Sequence, residues 1–398
     1  MAVTEKPAVK IVRDPANSTV LTEEQIATFG GRAAGYDREN RFFDEDFKDL
    51  KRAGYLTMNV PAELGGRGLT LAQVCQETRR LAYRAPATAL ATNMHVYWVG
   101  IAADLWRSGD KSLEWMLKET LAGEVFAAGH AESGNDLPLF LSTSTATRVE
   151  GGYKISGHKM FGSLTPVWTR LGLHAMTADG KIVHAFMPRD SKGYEIKETW
   201  DTLGMRATRS DDTILKDVFV PDRYIARILP AGTADQFVLS VFAWALLNFG
   251  NIYYAIAQRA RDLAVASAKK KTSLAVTRPM AYHPEIQHTI AEMQLEIESM
   301  GPHLDQIARD WSTGVDHGME WPAKIVAAKY HAVEAAKRVV DLALDASGGS
   351  GMYKTNELER LYRDVRAGGF HPANSALVHE IVAKTALGID LGEQPRWG

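Results

Sequence analysis

The sequence predicts an α+β, multidomain chain: a helical domain, then an antiparallel β-barrel, then a four-helix bundle. Three observations carry this. Up to about Leu121 the apolar residues recur at helical spacing, with two capping boxes. From Phe126 to Asp222 the period drops towards two, with hairpin signals between the runs. After Pro230 the helical period returns, in segments of which three exceed about 25 residues.

The elements follow in order. Residues 1–20 read as a tail. Thr22-Glu-Glu-Gln25 is a capping box, in which the threonine oxygen and the glutamine side chain satisfy free N–H groups of a new helix. A second helix, Asp44 to Ala53, stops at Gly54, and Pro61 to Gly68 is a loop. Thr70-Leu-Ala-Gln73 opens another helix, and Ala87 to Leu105 is a long apolar stretch containing Asn93, His95, Tyr97 and Trp98. In the β region, Thr145–Val149 and Tyr153–Ser156 flank Gly151-Gly152, while Leu171–Met176 and Lys181–Met187 flank Asp179-Gly180. Thr213 to Val220 is a further strand, ended by Pro221. The last helices are expected over Gln236–Lys271, His283–Trp311, Trp321–Ala346 and Ala373–Leu387. The divisions expected are 21–125, 126–228 and 229–398.

Composition excludes several functions. With 46 basic and 48 acidic residues the net charge is −2, which gives no electrostatic case for nucleic acid or a membrane surface. Cys75 is the only cysteine, so a disulfide framework within the chain and a multi-cysteine metal site are excluded, and no metal is expected. No apolar run reaches about 18 residues, so no membrane span is expected and a cytoplasmic protein is the default.

Three stretches carry candidate chemistry. Ala346-Ser-Gly-Gly-Ser-Gly-Met-Tyr353 offers Gly348, Gly349 and Gly351 for positive φ or for close approach of a ligand. It runs into a short amphipathic segment, Leu358 to Arg366, and then into Gly368-Gly369 and His371-Pro372. A helix–turn–helix joint explains the same residues. In Ala127 to Asp136, small residues can bring backbone groups to a ligand edge, and in Gly157-His-Lys-Met-Phe-Gly-Ser163 an aromatic and a hydroxyl can cover and bond a ring. Otherwise Ser163 caps a turn and Phe161 is core. A β-domain between helical domains suits a flat aromatic cofactor, since pockets concentrate at such junctions.

Glu132, Gly157-His-Lys-Met-Phe161, Trp200 with Leu203-Gly-Met-Arg206, Asp217-Val-Phe-Val-Pro221, Gly348-Gly-Ser-Gly351 and Arg360-Leu-Tyr-Arg-Asp364 occur in this order. Together they resemble the acyl-CoA dehydrogenase superfamily from about Leu21 to Leu387. The resemblance implies that fold, a flavin (FAD or FMN) between barrel and bundle, and a homotetramer. It implies that the backbone at Gly129, His130 and Ala131 meets the flavin's pyrimidine edge, that Phe161 lies by the ring, and that Ser163 reaches N5. Gly348, Gly349 and Gly351 of one subunit would face the flavin tail held by another.

The departures from that pattern are informative. Dehydrogenation of an acyl thioester needs a carboxylate base, and the usual glutamate falls at Pro372, preceded by His371. The other family position falls near Trp244-Ala245. The threonine expected before Glu132 is Ala131, and the arginine that grips the FAD diphosphate is absent, with Lys269 to Lys271 or Arg278 as substitutes. His95, His371, Ser163 and Ser210 instead resemble the site of the flavin monooxygenases on this fold, of the dibenzothiophene monooxygenase type. Those enzymes take reduced flavin from a separate reductase and form a C4a-(hydro)peroxide. A histidine, ordinarily titrating near 6.5, suits proton exchange at pH 7. The expected function is oxygenation of a small or mid-sized apolar substrate. A dehydrogenase with its base relocated to Glu380 or Asp136, and an inactive partner subunit, are the alternatives. His95 as a core histidine, His371 as a helix-entry residue and His130 as a packing residue are the corresponding structural readings.

Overall fold

A computed structural model describes residues 19–275 and 277–393, so the tail expected over 1–20 lies outside it up to residue 18. Five helices come first: α1 (Glu23–Glu39), α2 (Asp44–Arg52), α3 (Leu71–Ala82), α4 (Pro86–Arg107) and α5 (Glu114–Leu121). Both expected capping boxes are present, at Thr22 and Thr70. Gly54, at φ 75°, ends the turn after α2, a conformation open to glycine at little cost. Helix α4 is buried along almost its whole length, because α3, α6, α5 and the sheet pack around it.

The β region holds eight strands: β1 (Phe126–Gly129), β2 (Thr145–Val149), β3 (Gly152–Gly162), β4 (Arg170–Met176), β5 (Lys181–Pro188), β6 (Tyr194–Lys197), β7 (Asp211–Pro221) and β8 (Ile225–Pro230). They form one sheet in the order β6-β7-β3-β2-β4-β5-β8, with β1 also on β4. The expected antiparallel barrel is therefore corrected to an open, mixed sheet. β6 and β8 are its ends and do not pair, and β1 and β2 both run parallel to β4. The physical reason lies in the connections. β1 enters from α5 rather than through a hairpin, so no tight turn dictates an antiparallel neighbour. Strands β1, β6 and β8 are runs of only four to six residues, too short for periodicity to announce them. The β2–β3 turn is Glu150-Gly151, with Gly151 at φ 75°. Gly152 is needed for another reason: a Cβ there would lie 2.2 Å from the Val220 carbonyl oxygen of β7.

The last part contains α6 (Gln236–Lys270), α7 (Pro284–Thr313), α8 (Trp321–Ser347), α9 (Glu357–Val365) and α10 (Ser375–Leu387). Helices α6, α7 and α8 pack on one another, and α10 rests on α8. By length and composition α6 could cross a membrane, yet 89% of its most apolar window is buried in protein. That burial is why an apolar helix belongs here. At Gly100 of α4 a Cβ would meet the Trp244 ring at 2.3 Å, so the glycine lets α6 lie against α4. The Trp244 and Trp311 indoles both donate to Asp104 Oδ2, at 2.6 and 2.9 Å, joining α4, α6 and α7 at one carboxylate.

Candidate active site

The short helix α9 links the bundle to the sheet. Asn356 caps it by accepting from the Leu358 N–H at 3.0 Å. At its far end the buried Asp364 carboxylate accepts the Met205 N–H at 2.6 Å. Burial raises Asp364 to about 6, against the opposing pull of Arg360. A Cβ at Gly204 would lie 2.3 Å from the Arg363 carbonyl oxygen, so only glycine lets the loop come this close. Arg363 also binds Asp37 of α1 and Glu359.

This anchored loop presents a run of hydroxyls. Thr208 Oγ1 donates to the Met205 carbonyl at 2.8 Å and lies 2.7 Å from Ser210 Oγ, which lies 2.7 Å from Ser163 Oγ. Each hydroxyl has one proton. Because Thr208 gives its proton to a carbonyl, Ser210 must donate to Thr208, and Ser163 to Ser210. Ser163 is left with lone pairs and no free proton. The structure thus brings together Ser163 and Ser210, as the sequence suggested, and adds Thr208, which the sequence reading missed.

Phe161 stands beside them at the end of β3. It has φ 57°, a left-handed conformation rare in a bulky residue, and its ring is 56% exposed. The ring sits edge-on to Trp200, with centroids 6.0 Å apart at 85°. The exposure rules out the core reading of this residue. That observation fits a planar cofactor lying against it.

His371 lies between α9 and α10, just before Pro372. Its ring stacks on Phe249, with centroids 4.4 Å apart at 10°, and Nε2 is 2.6 Å from the Tyr253 hydroxyl. Burial, then the nearby Lys329 ammonium, lowers its pKa to about 3. The expected titration near pH 7 is corrected accordingly: His371 is a neutral imidazole across the physiological range. Phe249 and Tyr253 are one helical turn apart on α6. Their spacing is visible in the sequence, but nothing there connects them to residue 371.

His95 is placed elsewhere. Nδ1 accepts the Phe126 N–H at 3.1 Å and Nε2 donates to the Leu56 carbonyl at 2.8 Å. The ring is fully buried, which lowers its pKa to about 4. Both nitrogens are occupied by backbone, so His95 has none to offer a substrate. It follows the alternative reading, a core histidine joining α4, the 55–57 turn and β1.

The residues expected at a flavin edge divide similarly. The Ala131 carbonyl is already bonded to the Met160 N–H at 2.9 Å. Gly129 packs in the sheet, where a Cβ would meet Leu171 and Lys159 at 3.3 and 3.4 Å. The His130 ring turns inwards to stack on His174, with centroids 5.3 Å apart, and packs at a tilt against Trp98 at 5.4 Å. Its neighbour Glu132 is wholly buried and ion-paired to Lys159, and accepts from Ser142 and Ser144 Oγ at 2.8 and 2.6 Å. Burial works against the Glu132 charge, yet Lys159 and these hydroxyls hold its carboxyl well below the usual range. Of the turn glycines only Gly348 has positive φ, at 60°. Gly351 packs tightly, with a Cβ position 2.7 Å from Leu344, and Gly349 faces open space. Lys271 reaches this turn, donating to the Ser347 carbonyl at 3.2 Å.

Family models for the N-terminal and C-terminal domains of acyl-CoA dehydrogenases match residues 19–114 and 249–376. The putative acyl-CoA dehydrogenase YdbM of Bacillus subtilis is 30% identical over 362 residues, covering 89% of this chain and 93% of its own. The chain belongs to the acyl-CoA dehydrogenase family. Its relatives in the family are flavin-dependent oxidoreductases, and so is this enzyme. The family member L-evernosamine nitrososynthase of a Micromonospora species is 29% identical over 389 residues, covering 94% and 91% of the two chains. The solved structure of KijD3 with FMN and dTDP-3-amino-2,3,6-trideoxy-4-keto-3-methyl-D-glucose superposes with a TM-score of 0.82 at 25% identity, covering 92% of each chain.

Proposed function

We propose that this enzyme is a monooxygenase that takes reduced flavin, FMN by preference, from a separate reductase and oxygenates a small or mid-sized, largely apolar molecule. One observation carries the reading: both family positions for the acid–base carboxylate lack one. The first is filled by the Tyr253-bonded His371 and Pro372. The second is filled by Trp244, whose indole is committed to Asp104, and by Ala245. Glu380 is engaged in an ion pair with Lys384 at 2.9 Å, which disfavours it as a relocated base. The nitrososynthase likeness supports oxygen chemistry. The likeness to KijD3, solved with FMN and an amino-sugar nucleotide, supports FMN and makes an amine nitrogen the first atom to test in a substrate.

The flavin would rest against Phe161, with backbone at Gly129, His130 and Ala131 along one edge. In a homotetramer, the Gly348, Gly349 and Gly351 turn of a neighbouring subunit would face its phosphate, with Lys271 beside the turn. When bound, reduced flavin supplies the two electrons with which dioxygen gives one atom to substrate and one to water. Ser163, its own proton already directed to Ser210, offers an acceptor suited to an N–H donor such as N5 of a reduced flavin. The uncharged His371, left a weak base by burial and by Lys329, can share a proton with the Tyr253 hydroxyl bonded to its Nε2 and pass it along that bond. The flat Phe249 stack fixes that ring and keeps one face dry.

Supplying reduced FMN and 18O-labelled dioxygen to the protein with a panel of apolar amines tests the reading. One labelled atom per product molecule is expected. Anaerobic reduction of bound oxidised flavin by an acyl-CoA thioester would instead restore the dehydrogenase reading.

A further inference from the structure

The buried face of α8 carries a lysine that the reading above leaves unused. Lys329 is 2% exposed, and its Nζ donates to the Ala373 carbonyl at 3.0 Å and the His371 carbonyl at 3.5 Å. Among the described residues these two carbonyls are its hydrogen-bond partners, and no carboxylate forms an ion pair with it. An ammonium is costly to bury, and two aligned carbonyl dipoles offset only part of that cost. A methionine or leucine would fill the same space without that cost, so the charge calls for another role.

The carbonyls belong to the segment that carries His371, and that segment is braced throughout. A Cβ at Gly368 would lie 2.8 Å from Val333 of α8 and 3.1 Å from the Tyr253 ring of α6, so the chain enters it pressed between two helices. Ala373, where it leaves, has φ 57°, a left-handed conformation that an alanine keeps only when something holds it. Lys329 is bonded to that residue. We propose that Lys329 is the positioning residue of the active site: its ammonium clamps the carbonyls of His371 and Ala373 and so aims the imidazole at Tyr253 and Phe249.

The clamp has an electrostatic side. The charged and titratable groups facing it are Tyr253 from α6, Glu334 and Lys337 from α8 and, through Tyr253, Asp364 from α9. Burial is the main cause of the lowered basicity of His371, and the ammonium that orients the ring adds to it by repelling a proton there. Burial lowers Lys329 itself to about 8, with Glu334 opposing. The clamp is therefore charged at neutral pH and loses its charge as pH rises past that value, which weakens its hold on both carbonyls.

The importance of the clamp for turnover rests on the monooxygenase reading, but its test does not. The titration of His371 is followed by NMR of 15N-histidine-labelled protein, with His371→Gln to assign its signal. The wild-type ring is expected to stay neutral below pH 5. In Lys329→Met its midpoint should rise by about one pH unit, a tenfold gain in proton affinity. Lys329→Arg, which keeps the charge and the donors, should restore the wild-type titration. In the wild type, amide hydrogen exchange over residues 368–374 should accelerate between pH 7 and 9 beyond the rise seen in α6, and this decides the matter if Lys329→Met fails to fold. An unchanged His371 titration in a folded Lys329→Met protein, or a segment whose exchange follows α6, would overturn the proposal. A separate fluorescence titration with FMN reports on the flavin reading, so the two can fail independently.

Discussion

His95 and His371 are both uncharged, His95 fully buried and His371 partly so, yet their surroundings differ in kind. His95 is held by two backbone groups on rigid elements, the Leu56 carbonyl and the Phe126 N–H. His371 is held by side chains, a tyrosine hydroxyl and a phenylalanine face, in a turn with a strained alanine. Backbone partners are fixed by the fold and consume the hydrogen-bonding capacity of a ring. A hydroxyl can both give and take a proton, so the second imidazole stays available for chemistry. The difference teaches that burial and lowered basicity do not identify a catalytic histidine; the identity of its partners does.

The comparison can be broken most directly at His371. His371→Ala is expected to lower turnover by about 100- to 10,000-fold, the range for losing a proton-transfer group, with little change in thermal stability. An equal loss of stability in this variant and at His95 would erase the distinction. His95→Leu should do the reverse. It strands a carbonyl and an N–H in the core and should cost about 2–4 kcal/mol in urea unfolding, with flavin affinity unaffected.

Acid sharpens the contrast. The pKa of His95 is lowered by burial to about 4, whereas the unfolded chain titrates near 6.5. Between those values the unfolded chain binds a proton that the folded one refuses. Its contribution is thus complete above about pH 6.5 and is lost as pH falls towards 4, up to about 3 kcal/mol. His371 acts in the same direction, so wild-type stability falls steeply through this window. His95→Leu should remove one share of that slope and leave those of His371 and of the other buried histidines, His130, His174 and His184, as denaturation at pH 7 and pH 5 would reveal. The smallest effect is at Ala373. Ala373→Gly relieves a left-handed backbone and should raise stability at pH 7 by less than about 1 kcal/mol, read by urea midpoint, while loosening the His371 turn.

Much of the fold was legible in the sequence. The Thr22 and Thr70 boxes, the stop at Gly54 and the ends of α6, α7 and α8 lie within a few residues of their expected places, because capping and periodicity are local. The sheet was legible in its two hairpins and in β7. β1, β6 and β8 find partners through the tertiary structure alone, and with them went the choice between a barrel and an open sheet. At the candidate site the resemblance pointed to Ser163 and Ser210, which prove to be bonded to each other, but gave no sign of Thr208, Tyr253 or Lys329. Each of these acts on a group far along the chain or around a loop, and no spacing announces such a pair.

By itself the sequence determined the helical ends, the hairpins and the absence of a carboxylate at residues 371 and 372, since each is a matter of residue type or short-range pattern. Only the tertiary structure decided which histidine keeps a usable nitrogen. Hydrogen bonds between distant segments set that outcome, and they exist only after the helices have packed on the sheet and on one another.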